Sequence, residues 1–165
     1  MAHIAIDSNV FEHLLNPDWN GDSHIDHLLI HLQKKKFQLC VDTNGRITSE
    51  YDRIIMPIIK NRDEGSVERY ILSYWMIYCE RKNASVDEND ARMACIRGII
   101  TENELFDRVF VYVACSEDCK LVTNDTVHIL ARRKDLLKAT KKRFRGSSTD
   151  FLSSREFDQA IGAAQ

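Results

Sequence analysis

Apolar residues recur along this chain in two rhythms, and their alternation predicts an α/β order. Short continuous runs read as buried strands: residues 3–8 around Ile4-Ala5-Ile6, then Phe37 to Val41, then Cys119 to Thr123. Between them the apolar positions fall three and four apart, the spacing of one helix face. Ile25, Leu28, Leu29 and Leu32 mark a helix over 23–34. Tyr51, Ile54, Ile55, Ile58 and Ile59 mark a second, which Pro57 is expected to kink or to restart. Tyr70, Ile71, Tyr74 and Tyr78 stand in register over 66–80, and Ala91, Ala94 and Cys95 should face inward from a helix around 88–97. Leu105, Phe106, Val109, Phe110, Val113 and Ala114 give a wide apolar face behind Thr101-x-x-Glu104, a spacing that fits a capping box. That helix should be central and heavily buried.

Polar punctuation separates these elements. Asp7-Ser8-Asn9 can cap a short helix running to Leu15, Asn16 to Asp22 is rich in turn formers, Asp42-Thr43-Asn44-Gly45 closes the second strand, and Arg81 to Glu88 reads as a loop. With six glycines, two prolines and no linker-like stretch, residues 1–165 are expected to form a single domain. If the strands run parallel, Asp7 and Asp125, each closing a strand, share the carboxyl edge of one sheet. Open α/β sheets place their sites there.

Composition narrows the class. Hydrophobic content of 44% beside 29% charged residues is that of an ordinary globular chain, and no apolar stretch approaches the ~18 residues of a membrane span. No basic leader precedes the first strand, so a cytoplasmic protein without a membrane partner is expected. Five cysteines without a C-x-x-C pair suit reduced, buried thiols, and Cys115 with Cys119 lacks the second ligand pair of a zinc site. Net charge is -2, but unevenly spread: residues 1–125 hold 14 Lys+Arg against 21 Asp+Glu, net -7, and residues 126–165 hold 9 against 4, net +5. Arg132, Arg133, Lys138, Lys141, Lys142, Arg143 and Arg145, with Phe144 among them, form a basic segment over 132–145. It is either a nucleic-acid contact or a solvated helix face.

Four acids carry the chemistry: Asp7, Glu50, Asp107 and Asp125. Glu50 precedes the second helical stripe and is placed in its first turn; Asp107 lies on the stripe of Val111 and Ala114, where an ionised carboxylate needs a partner. Two carboxylates about 4 Å apart repel by roughly 4 kcal/mol at an effective dielectric near 20. A divalent cation resolves that conflict, and oxygen-only ligands suit Mg²⁺ or Mn²⁺. The reaction class such ions serve is phosphodiester hydrolysis by in-line displacement.

The opening Asp7-Ser8-Asn9 after a strand, the Asp107-x-x-Phe110-Val111-x-x-Ala114 helix pattern and Leu121-Val122-Thr123-Asn124-Asp125 together resemble the PIN-domain nucleases, from Asp7 through about Asp125. The resemblance implies a three-layer α/β/α fold with a mainly parallel sheet, Mg²⁺ or Mn²⁺ dependence and cleavage of RNA, often single-stranded. Carried onto this sequence, Asp7, Glu50, Asp107 and Asp125 resemble the metal-binding acids, Asn9 and Thr123 polar residues lining the site, and Glu104 an extra acid of some members. Two departures stand out: Asp42 rivals Glu50 as second acid, and the residues after Asp125 lack the family's acidic-aromatic pattern. The expected activity is that of a metal-dependent endoribonuclease, the basic segment guiding the strand. Its biological setting could be a bacterial toxin or defence effector with a protein inhibitor or antitoxin, and a homodimer is another possible assembly. The alternative is a catalytically inactive PIN-like module that binds RNA or protein.

Every acid also has a plainer role. Asp7 and Asp125 can cap the helices that follow their strands, Glu50 can answer a helix dipole, Asp107 can pair with Arg108, Glu104 can complete the capping box of Thr101, and Asp42 can hold a turn. His24, His27 and His31 share one side of a helix beside its apolar stripe, where boundary histidines are common. Asp7-Ser8-Asn9 also resembles phosphohydrolases with an aspartate nucleophile, but those need a second aspartate where Asn9 stands.

Overall fold

The computed structural model of this chain describes residues 2–12, 23–34, 37–101 and 103–162. Among them five strands, β1 (Ala2–Ile6), β2 (Phe37–Asp42), β3 (Arg81–Ala84), β4 (Lys120–Val122) and β5 (Phe151–Leu152), form one sheet in the order β3-β2-β1-β4-β5. Every pairing is parallel. Parallel neighbours need a crossover, so the helices α1 (Asn9–Glu12), α2 (Ser23–Gln33), α3 (Arg46–Asn61), α4 (Val67–Tyr78), α5 (Ala91–Arg97), α6 (Leu105–Ser116), α7 (Arg133–Arg143) and α8 (Ser154–Gly162) complete a three-layer α/β/α sandwich. No helix is long and apolar enough to cross a membrane. The turn-rich loop of Asn16 to Asp22 and the end of the first helix at Leu15 lie outside the described residues.

Ile4, Ala5 and Ile6 are all buried, as an unalternating apolar run at the centre of a parallel sheet requires. On one face α6 lies across β2, β1 and β4 and packs against α3 and α5; α2 packs against α4 and α8. Arg108 through Cys115 are buried without interruption, which makes α6 the central helix expected. Leu105 and Phe106 depart from that expectation: both are exposed, because they stand in the first turn of α6 where it emerges from the core. Phe11, Tyr51 and Trp75 cluster, with centroids 5.0 Å apart for the tilted Phe11–Trp75 pair and 5.3 Å for the edge-on Tyr51–Trp75 pair, tying α1, α3 and α4 together, and the Tyr51 hydroxyl donates to Ile6 O at the end of β1.

Local corrections follow from tertiary packing. α3 begins at Arg46, one turn early, because the Asp42 carboxylate accepts from the backbone N–H groups of Arg46 (3.1 Å) and Ile47 (2.8 Å) after a turn through Gly45 at φ 75. Glu50 is therefore in the second turn, and Pro57 sits inside a continuous helix. Thr101 and Glu104 form no capping box; Glu104 is itself the N-cap residue and its side chain makes no capping bond. α5 buries Met93 and Ile96, leaving Ala91 and Ala94 outside. α4 turns Ile71, Leu72 and Trp75 inward, and Tyr70 and Tyr78 are exposed.

Arg81 to Ala84, read as loop, is instead the edge strand β3, with Lys82 ion-paired to Glu117 at 2.8 Å. Charged residues on an edge discourage pairing with other chains, and they also hide the strand from an apolar-pattern reading. Phe151–Leu152 and the helix after it were not anticipated, although Ser153-x-x-Glu156 is a true capping box: Ser153 Oγ accepts from Glu156 N–H at 3.1 Å and Ser153 N–H donates to the Glu156 carboxylate at 2.8 Å.

Candidate functional site

The chain leaves β1 for β2 on one side and reaches β4 on the other, so the strand order reverses between β1 and β4. Crevices at such a reversal, beyond the carboxyl ends of the strands, are where open α/β sheets bind ligands. Asp7 lies there, continuing the ladder by donating its backbone N–H to Val122 O at 2.8 Å. Its buried carboxylate accepts from Asn9 Nδ2 (2.9 Å) and from the Thr123 hydroxyl (2.8 Å). Asn9 Oδ1 accepts from Asn124 N–H at 2.9 Å, and the Thr123 oxygen accepts from Asp125 N–H at 3.0 Å. The two polar residues expected to line the site thus stitch the end of β1 to the end of β4.

A cleft of about 450 Å³ opens at this point, and Asp7, Glu12, Glu50, Glu104, Asp107 and Asp125 all line it, with Phe106 and Val127 on its apolar rim. Burial, reinforced by the charges of Asp125 and Glu12, raises Asp7 to a pKa of about 7 despite its hydrogen bonds from Thr123 and Asn9. Burial and then the charges of Asp7 and Asp125 raise Asp107 to about 8. Asp107 Oδ2 is buried with no N–H or hydroxyl donor on it, and the group it hydrogen-bonds when protonated is the Asp125 carboxylate. Burial first, and then the neighbouring negative charges, lift Asp7 and Asp107 out of the ordinary carboxylate range.

The remaining acids divide. Asp125 is both a cap and a cleft residue: its Oδ1 accepts from Val127 and His128 N–H, each at 2.8 Å. Glu50 lines the cleft and accepts from the Ser8 hydroxyl at 3.3 Å, yet Arg53 grips it from one turn along α3 at 2.6 and 3.0 Å. Asp42 does not line the cleft and is the cap of α3. Glu104 sits 3.4 Å from His128 Nε2. Arg108 does not pair with Asp107, because its guanidinium is buried on the carbonyls of Ile100 and Thr101. Among the described residues, no three acidic, histidine or cysteine side chains stand close enough to ligate one ion as they are.

The basic segment is more dispersed than its sequence suggests. Arg132 donates to the Ile99 carbonyl, and Arg133 is held by Asp150 at 2.7 Å and Glu156 at 3.0 Å. Phe144 is buried edge-on to Tyr112, not displayed among the bases. α7 carries the chain back to the start of β5, so Lys141, Lys142 and Arg143 stand about 12–15 Å along the helix from Arg133, and Arg145 lies beyond its end. Lys138 is exposed midway. Of the histidines, His27 Nδ1 lies 2.9 Å from Asp158 and His31 is buried; the side chain of His24 lies outside the described residues.

Sequence reasoning missed Glu12, Ser8 and Arg53 as participants. Glu12 falls one turn after Ser8 on the short helix that follows the first acid, which was the available signal. No protein-family model matches the chain, and no curated protein is similar to it.

Proposed function

We propose that this chain is a PIN-like, Mg²⁺- or Mn²⁺-dependent endoribonuclease that hydrolyses phosphodiester bonds of single-stranded RNA in the cleft beside β1 and β4. The observation that carries the reading is the meeting of Asp7, Asp107 and Asp125 at the strand-order reversal, with Asp7 and Asp107 both lifted out of the ordinary carboxylate range. A scaffold gains nothing from gathering acids that repel, and a divalent cation removes the repulsion.

The chemistry of the donors suits such an ion, and the carboxylates, which stand too far apart to ligate it together as they are, would have to close on it. The donor set is all oxygen, it is rich in charge, and one of its buried atoms, Asp107 Oδ2, has no N–H or hydroxyl donor on it. Asp7, Asp107 and Asp125 would hold the cation, with Glu104 and Glu50 at the margin. When bound, Mg²⁺ or Mn²⁺ stabilises charge on phosphoryl oxygens and lowers the pKa of coordinated water. The chain's own residues do the positioning: Asn9 and Thr123 fix the Asp7 carboxylate, and the Asp125 backbone is fixed by Thr123. Phe106 and Val127 offer apolar surface at the rim to bases. Lys141 to Arg145 would touch only nucleic acid that extends past the cleft.

The test is cleavage of end-labelled single-stranded RNA and DNA with Mn²⁺, Mg²⁺ or chelator, comparing wild type with Asp7→Asn. Metal-dependent cutting of RNA that disappears in the variant supports the proposal. A second reading, a PIN-like module that binds RNA or protein without cutting, draws on the Arg53–Glu50 pair, which occupies one acid with a protein cation. Folded wild type that binds RNA yet never cuts it would favour that module.

A further inference from the structure

α4 is apolar on two sides. Ile71, Leu72 and Trp75 are buried in the core. On the outer side Val67, Tyr70, Ile77 and Tyr78 are 66%, 61%, 70% and 57% exposed, far more than a helix of this size needs to leave in water. Tyr74 lies between them, its ring 6.5 Å from that of Tyr70 and 4.8 Å from that of Tyr78. The outward residues 67, 70, 74 and 77 follow 3-4-3 spacing, which is the seam of a helix that packs on another helix. Among the described residues the other exposed large apolar side chains, Ile30, Met56, Leu105, Phe106 and Val127, are isolated or belong to the cleft rim.

From these observations we infer that the outer face of α4 is the contact surface of a two-fold homodimer, in which α4 packs antiparallel on α4 of a second copy. The seam matches itself in that orientation. Centred at Leu72, Val67 meets Ile77 of the second copy and Tyr70 meets its Tyr74, so an aromatic layer at the middle is flanked by aliphatic layers. Aromatic anchors at the centre of an interface are the usual arrangement of binding hot spots, and opposed helix dipoles favour the antiparallel sense. A patch related to itself by a two-fold closes the assembly at two chains. The seam offers on the order of 500 Å² per copy, so pairing removes about 1,000 Å² from water, the lower bound for a specific interface.

The inference is independent of the nuclease reading and is tested by sedimentation equilibrium of the full chain from about 1 to about 100 μM. The expected result is a mass that rises with concentration toward two chains. Tyr70→Lys with Ile77→Lys should hold the mass at one chain throughout while the circular dichroism spectrum stays that of wild type. Val127→Lys, on the exposed rim of the cleft, should dimerise like wild type. A milder pair, Tyr70→Ser with Ile77→Ser, covers the case in which the lysines disturb the fold and should raise the dissociation constant at least tenfold. Wild type that remains one chain at the highest concentration, or a folded seam variant that dimerises as well as wild type, overturns the assignment.

Discussion

The Thr123 hydroxyl donates to Asp7 Oδ2 at 2.8 Å, joining residues 116 apart in sequence across the seam between β4 and β1. The same oxygen accepts from Asp125 N–H, so one side chain holds two of the clustered acids in place. Thr123→Val keeps the shape and removes both bonds. The variant should lose about 1–3 kcal/mol of stability in denaturant unfolding, since buried polar groups are left unpaired. It should also raise the pKa of Asp7 further, which carboxyl NMR titration would register.

The metal-free protein should lose stability as pH rises from about 4 to about 8 through these acids. Burial raises Asp7 to about 7 and Asp107 to about 8 from the ordinary 3.8 of the unfolded chain, so across that window the folded state holds protons that the unfolded state has released. The contribution is flat below the window and fully lost above it. Unfolding free energy measured against pH in chelator should therefore fall more steeply for wild type than for Asp7→Asn with Asp107→Asn. Equal slopes would mean the two carboxyls ionise normally.

If the cleft takes a cation, binding must expel those protons. Mn²⁺ titration calorimetry in two buffers of different ionisation enthalpy should report proton release at pH 6.5 that shrinks toward pH 9, with affinity rising over the same range. Absence of proton release would place the ion elsewhere.

Arg53 competes for Glu50. Arg53→Ala should tighten Mn²⁺ binding several-fold if Glu50 belongs to the ligand set. Unchanged affinity assigns Glu50 to the wall of the cleft.

Asp42→Ala separates the rival acid from the site. Losing the cap on Arg46 and Ile47 should cost about 1–2 kcal/mol in thermal unfolding. Metal affinity, measured on the folded variant, should not move.

The sheet and the central helix were legible because β1, β2, β4 and α6 are buried on most sides, and burial writes itself as continuous apolar sequence. β3 and β5 were not, since Arg81–Ala84 is a charged edge strand and Phe151–Leu152 is too short to show a period. Asp7, Asp107 and Asp125 could be read from strand ends and one helix stripe, and they do line one cleft. The Arg53 grip on Glu50 was invisible, because an exposed arginine one turn from a glutamate looks like any solvated pair. The tyrosines of α4 were seen in register, but periodicity alone does not say which of two apolar faces meets the core.

The ladder between β1 and β4 joins a segment to one that emerges from synthesis more than a hundred residues later, through the pairs Ile4–Lys120, Ala5–Leu121 and Ile6–Val122. A chain still being made lacks β4 and with it half of the cleft wall. Until that long-range pairing forms, the acidic centre cannot exist. Parting that single seam would separate Asp7 from Thr123 and disassemble the centre while the outer layers remain packed.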